Sequence, residues 1–141
     1  MCIRDSDYIE QAKKNYGDRF AVADVCTYEA EPENRFDFIL LNSLLHHIDD
    51  VHTDRILEQL TKQLTPDGHI HILDLLLTEE RSLARTLALS DRGDYPRPLA
   101  AWEKIFSTHY EPVVYEPFTL DLGGVTLWKM VYFKGRARNT S

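Results

Sequence analysis

Apolar positions along the chain recur with two different spacings. Tyr8, Ile9, Ala12 and Tyr16 share one helical face, Asp7 and Glu10 read as a capping box ahead of them, and Gly17 ends the run. Phe20–Val25 predicts a short strand, followed by a polar stretch over 27–35 with a single proline, Pro32. Phe36–Leu41 is apolar except for Asp37, the pattern of a strand covered on both faces. Asp49 and Asp50 offer N-caps for a helix from Val51 to Leu64, with Ile56, Leu57, Leu60 and Leu64 on its buried side and a Glu58–Lys62 pair outside. Thr65-Pro66-Asp67-Gly68 suits a type I turn, and His69–Leu77 reads as a second buried strand.

The second half opens with a helix over Glu79–Leu89, spaced by Leu83 and Leu87, and a loop over Ser90–Pro98. A short helix over Leu99–Phe106 carries Trp102. Val113–Leu120 and Val125–Phe133 then predict two strands joined by Asp121-Leu122-Gly123-Gly124. A parallel crossover needs a dozen residues or more, so this link implies an antiparallel hairpin. Buried strands alternating with helices predict one α/β domain with a mainly parallel sheet and the hairpin at its end.

With 141 residues, 43% hydrophobic and 11% aromatic, the chain can bury a real core, which argues against disorder. The longest apolar runs, Phe38–Leu45 and Ile70–Leu77, fall far short of the ~20 residues a membrane span requires. Sixteen Lys and Arg against 23 Asp and Glu give a net charge of −7, which argues against a nucleic-acid partner. Two cysteines, Cys2 and Cys26, cannot form a disulfide framework, and the chain opens without a secretory pattern, so a cytoplasmic setting is expected. In such a setting the sequon at Asn139 has no role. His46 and His47 are adjacent, and His69 and His71 share a strand face, but no Cys or Glu stands at zinc-site spacing, so no metal is expected.

Several pieces in order resemble the class I S-adenosylmethionine-dependent methyltransferases. They are Ala23-Asp24-Val25, Phe36–Asn42, Leu45-His46-His47-Ile48-Asp49-Asp50, Leu64–Gly68 and Ile72-Leu73-Asp74. The resemblance runs over residues 7–136 and implies a Rossmann-like sheet lacking the family's strands 1 and 2, with the hairpin as strands 6 and 7. It implies S-adenosylmethionine as cofactor and a small-molecule methyl acceptor, with O-methylation as one form. Residues 1–6 resemble a translated sequencing adapter, and 137–141 read as a polar tail. The glycine-rich loop and ribose-binding acid of the family do not occur in this stretch, so the chain is expected to be a fragment and inactive by itself.

The resemblance also assigns residues. Asp24 would accept the adenine amino group, the Val25 backbone would meet a ring nitrogen, and Asn42 would face the sulfonium. The alternatives are a turn cap for Asp24 and strand-end hydrogen bonding for Asn42. Tyr95 and Arg97 fall in the loop where this fold contacts substrate, with Trp102 nearby, although a packed surface loop would read the same way. Leu45-His46-His47 aligns with the segment that carries the catalytic histidine of plant-type O-methyltransferases, so His46 is the candidate base, with packing beside the cofactor as its alternative. Asp74, at a strand's end, suits a cap or a substrate contact. Two other functions stay open from the residues: a non-catalytic α/β binding module and a nicotinamide-dependent oxidoreductase.

Overall fold

The computed structural model describes residues 6–90 and 93–138. Residues 1–5 with Cys2, the loop positions 91–92 and the sequon at 139–141 lie outside them. In chain order the elements are α1 (Ser6–Tyr16), β1 (Phe36–Asn42), α2 (Asp50–Thr61), β2 (Leu64–Leu75), α3 (Leu83–Ser90), α4 (Leu99–His109), β3 (Tyr110–Leu122) and β4 (Val125–Ala137). The sheet order is β1-β2-β4-β3. β1 and β2 are parallel, β4 runs antiparallel to β2, and β3 runs antiparallel to β4.

The hairpin forms as the short link requires, and it closes more tightly than the sequence suggests. Asp121 and Leu122 stay in β3, so the loop is Gly123-Gly124 alone, at φ of 59° and 80°. A two-residue hairpin loop of this kind needs positive φ at both positions, which glycine adopts without a side-chain clash. The α2 start follows its capping chemistry: the Asp49 carboxylate accepts the His52 N–H at 2.9 Å. The helix ends at Thr61 rather than Leu64, because Leu64 is already the first residue of β2, paired with Phe36. Thr65–Gly68, expected as a turn, is instead a bulge within β2, where the register slips between Phe36 and Phe38.

Two further expectations fail on pairing. Phe20–Val25 forms no strand. A strand needs a neighbour for its backbone groups, and among the described residues none runs beside this stretch. β1 is an edge strand rather than one covered on both faces. Leu41 is buried, whereas Phe38 and Leu40 keep 57% and 50% of their surface exposed.

The main core lies between the sheet and α2 with α4. Leu41, Ile70, Ile72, Val131 and Phe133 of the strands meet Ile56, Leu57 and Leu60 of α2 and Trp102 and Phe106 of α4. Alternate strand residues face the other side, where Leu75 and Met130 pack on Ala88 of α3 with Phe118 and Trp128. Buried polar ends in the main core find partners. The Trp102 indole N–H donates to the Leu75 carbonyl at 3.0 Å, and the Tyr110 hydroxyl donates to the Leu57 carbonyl at 2.8 Å. Burial pushes the Tyr110 phenol far above its ordinary pKa.

Candidate active site

β1 and β2 both end, at Asn42 and Leu75, on the edge where open α/β sheets bind ligands. Leaving β1, the chain turns sharply at Ser43, which sits in the left-handed region with φ of 52°. For a non-glycine residue that conformation carries a cost of about 1–2 kcal/mol. The turn is fixed by the Ser43 N–H, which donates to the Leu73 carbonyl at 2.8 Å. It folds the short helical turn Leu45–His47 back over the end of β2.

There Asp74 gathers three partners. One carboxylate oxygen accepts the Leu45 N–H at 2.8 Å. The other accepts the Leu75 N–H at 2.7 Å and lies 2.6 Å from His46 Nδ1. Asp74 has no exposed surface and His46 keeps 3%. An ionised carboxylate only accepts, so the His46 Nδ1–H donates to Asp74. The His47 ring packs against His46 with centroids 4.1 Å apart.

The loop before α4 closes on the same turn. The Tyr95 N–H donates to the His46 carbonyl at 2.9 Å. Gly93 sits so close that an added Cβ would clash with His46 Cδ2 and lie 2.8 Å from its carbonyl oxygen. Arg97 then locks the assembly. Its guanidinium donates to the carbonyls of Leu45 at 3.0 Å, Ile48 at 2.7 Å and Tyr95 at 3.1 Å, and Nε meets the Asp50 carboxylate at 2.7 Å. The Trp102 ring lies beneath it, 4.7 Å from the guanidinium carbon.

The side chains nominated from the sequence thus fall into separate groups. His46, Tyr95 and Arg97 are brought together, though Arg97 is 6% exposed and spends its donors on the protein, while the Tyr95 ring is exposed. Asn42 stands at the same strand edge, exposed beside Ser43. Asp24 caps an exposed turn: its carboxylate accepts the Cys26 N–H at 2.9 Å and its carbonyl accepts the Tyr28 N–H at 2.8 Å. That turn is tied to the C-terminal end of α2, where Gln59 donates to the Tyr28 carbonyl and the Gln63 side chain accepts from Ala30. Val25 packs on the core from there. Among the described residues, the hydrogen bonds of Asp24 stay within its own turn.

The sequence pointed to His46 but not to what holds it. Asp74 was legible as a strand-end carboxylate, yet its partner is 28 positions away. Gly93 gave no signal at all, since a lone glycine in a polar loop reads as flexibility.

A parallel pair extended by an antiparallel hairpin, with a buried polar cluster at the parallel strands' C-terminal ends, defines a Rossmann-like α/β protein of the methyltransferase type. The methyltransferase-domain family matches residues 4–112, and the chain belongs to that family. No curated protein matches it in sequence. Among solved structures it is similar to an S-adenosylmethionine-dependent methyltransferase from Methanosarcina mazei, with TM-score 0.73 and 13% identity over 94% of this chain and 78% of that one. It is similar also to the N-methyltransferase NodS from Bradyrhizobium japonicum, with TM-score 0.66 and 13% identity over 94% of this chain and 69% of that one. Human N-acetylserotonin methyltransferase, solved with S-adenosylmethionine, aligns with TM-score 0.62 and 16% identity over 92% of this chain and 37% of that one.

Proposed function

We propose that the protein transfers a methyl group from S-adenosylmethionine to a small molecule, with an oxygen as the acceptor atom and His46 as the base that takes its proton. One observation carries the reading: the buried His46–Asp74 contact of 2.6 Å at the C-terminal end of the parallel strands. Asp74 fixes the ring's orientation. It also stabilises the imidazolium that forms when a phenol or carboxylic acid gives up its proton. S-adenosylmethionine supplies the electrophilic methyl, and the protein's task is alignment and exclusion of water. Asn42 stands on the sulfonium side of this arrangement and the Tyr95 ring on the acceptor side. Arg97 supports the reading as the part that holds the His46 turn, and Asp24 and Val25 take no part in it.

The test is His46→Gln in a methylation-competent form of the protein, assayed with radiolabelled donor against a panel of phenols and carboxylic acids. A fall in rate of about 100-fold or more with unchanged donor affinity is expected. Rate and affinity both within a few-fold of the parent would make His46 scaffold.

A further inference from the structure

The two edges of the sheet are built differently. β3 forms one edge, and it carries the devices that keep a strand from taking a new neighbour. Pro112 and Pro117 lack a backbone donor, and Glu111 and Glu116 add charge. Its register slips between Pro112 and Val114 and again between Leu120 and Asp121. β1 forms the other edge without these features. Its seven residues hold no proline and no basic side chain, and its one charged group, Asp37, accepts the Thr65 hydroxyl at 2.7 Å. From Phe38 to Asn42 it pairs residue for residue with His69–Leu73, and among the described residues no strand lies on its other side.

Such an edge presents a row of backbone N–H and C=O groups ready to pair with another strand. Apolar side chains flank the row on both faces. Ile39 and Leu41 turn toward the main core. Phe38 and Leu40 stand on the opposite face, 57% and 50% exposed, and the Phe38 ring lies 4.6 Å from that of His71.

We propose that β1 pairs with β1 of a second copy of this chain, antiparallel, across a two-fold axis at Ile39. Self-complementarity selects this occupant. With Ile39 opposite itself, Phe38 of each copy lies opposite Leu40 of the other, and the axis repeats the pair. The most exposed apolar side chains of β1 then meet as one cluster on the open face. Asp37 falls opposite Leu41 and Phe36 opposite Asn42, so no like charges face each other. A slip by one residue sets Phe38 opposite Ile39 and mixes the two faces. The two four-stranded sheets join into one continuous sheet.

Sedimentation equilibrium of the 141-residue chain between about 1 and 100 μM is the test. A reversible dimer of twice 16.4 kDa is expected. Phe38→Lys and Leu40→Glu each weaken it by about tenfold or more, with the far-UV circular dichroism of the parent retained, because each change is felt twice. The double variant Phe38→Lys, Leu40→Glu sets opposite charges across the axis at both places and recovers the dimer. Leu122→Lys, on the hairpin, leaves it unchanged. A parent chain that stays monomeric throughout, or that grows into an open series of larger species, overturns the proposal. So do single variants that dimerise as the parent does, or a double variant no tighter than either single one. No methyl donor is involved, so the outcome is independent of the methylation reading.

Discussion

His46 and Asp74, 28 positions apart, meet at 2.6 Å in a place where neither side chain keeps more than 3% of its surface. The contact joins the turn after β1 to the last residues of β2, so it is at once a structural clamp and the polar centre of the candidate site.

Its structural share is measurable. Asp74→Ala removes the acceptor of two backbone N–H groups and of the imidazole, all inside the protein. A loss of about 3 kcal/mol in unfolding free energy is expected from urea titration. Asp74→Asn keeps the volume and one acceptor oxygen and loses less. A loss under about 0.5 kcal/mol for the alanine variant would mean that the buried carboxylate does not hold the turn.

Gly93→Ala addresses the same turn from the opposite side. The new methyl group would overlap the His46 ring, so the ring or the loop must move. We expect destabilisation of about 2 kcal/mol and a displaced set of His46 ring resonances in NMR spectra. A variant with parent-like stability and an unmoved His46 would refute the close packing.

Arg97 is expected to behave as part of the framework. Arg97→Met keeps the stacking volume on Trp102 but removes the guanidinium donors from the Leu45, Ile48 and Tyr95 carbonyls and the cation from Asp50. A cost of about 3 kcal/mol follows, and Arg97→Lys recovers only a part because an ammonium lacks the planar fork. Calorimetric melting of the two variants separates these outcomes. Equal melting of parent and both variants would return Arg97 to the role of a free cation in the loop.

Stability should fall on acidification below neutral pH. The His71 pKa is lowered by burial first and then by Lys134 and His69. That of His69 is lowered by burial, Lys134 and Arg136, with Asp67 opposing. His69 Nε2 must also keep its lone pair to accept from Arg136 Nε at 2.9 Å. Both groups bind a proton more readily unfolded, near their ordinary 6.5, than folded. The stability they confer is therefore complete above that value and is lost as pH falls through it toward the folded values. Urea midpoints should decline between about pH 7 and 5, and less steeply in a His69→Gln, His71→Phe double variant. A midpoint that rises on acidification, or a slope that both replacements leave unchanged, would contradict this.

The chain by itself should bind S-adenosylmethionine weakly or not at all. Asp24 spends its carboxylate on the Cys26 N–H of its own turn, so that oxygen is already engaged. An incomplete set of partners leaves polar groups of a bound molecule unpaired. Isothermal titration is expected to show no heat at about 100 μM donor, and a micromolar dissociation constant would sink the prediction.

What the sequence determined by itself was local. A four-residue link between two apolar runs demands an antiparallel hairpin, an Asp before an amphipathic run caps a helix, and apolar periodicity orders strands and helices along the chain. Each of these depends on residues within a few positions of one another, and each appears near its expected place. The tertiary structure decided everything that depends on a distant neighbour. Phe20–Val25 has strand chemistry but no partner beside it, and Phe36–Leu41 has the pattern of a covered strand yet lies at an edge. Arg97 looks like a loop cation in the sequence and is a buried lock in the fold, because the carbonyls it serves come from a turn about 50 positions earlier. His46 was visible as a candidate, but its tautomer was not, since a ring's proton is placed by whatever carboxylate the fold sets against it.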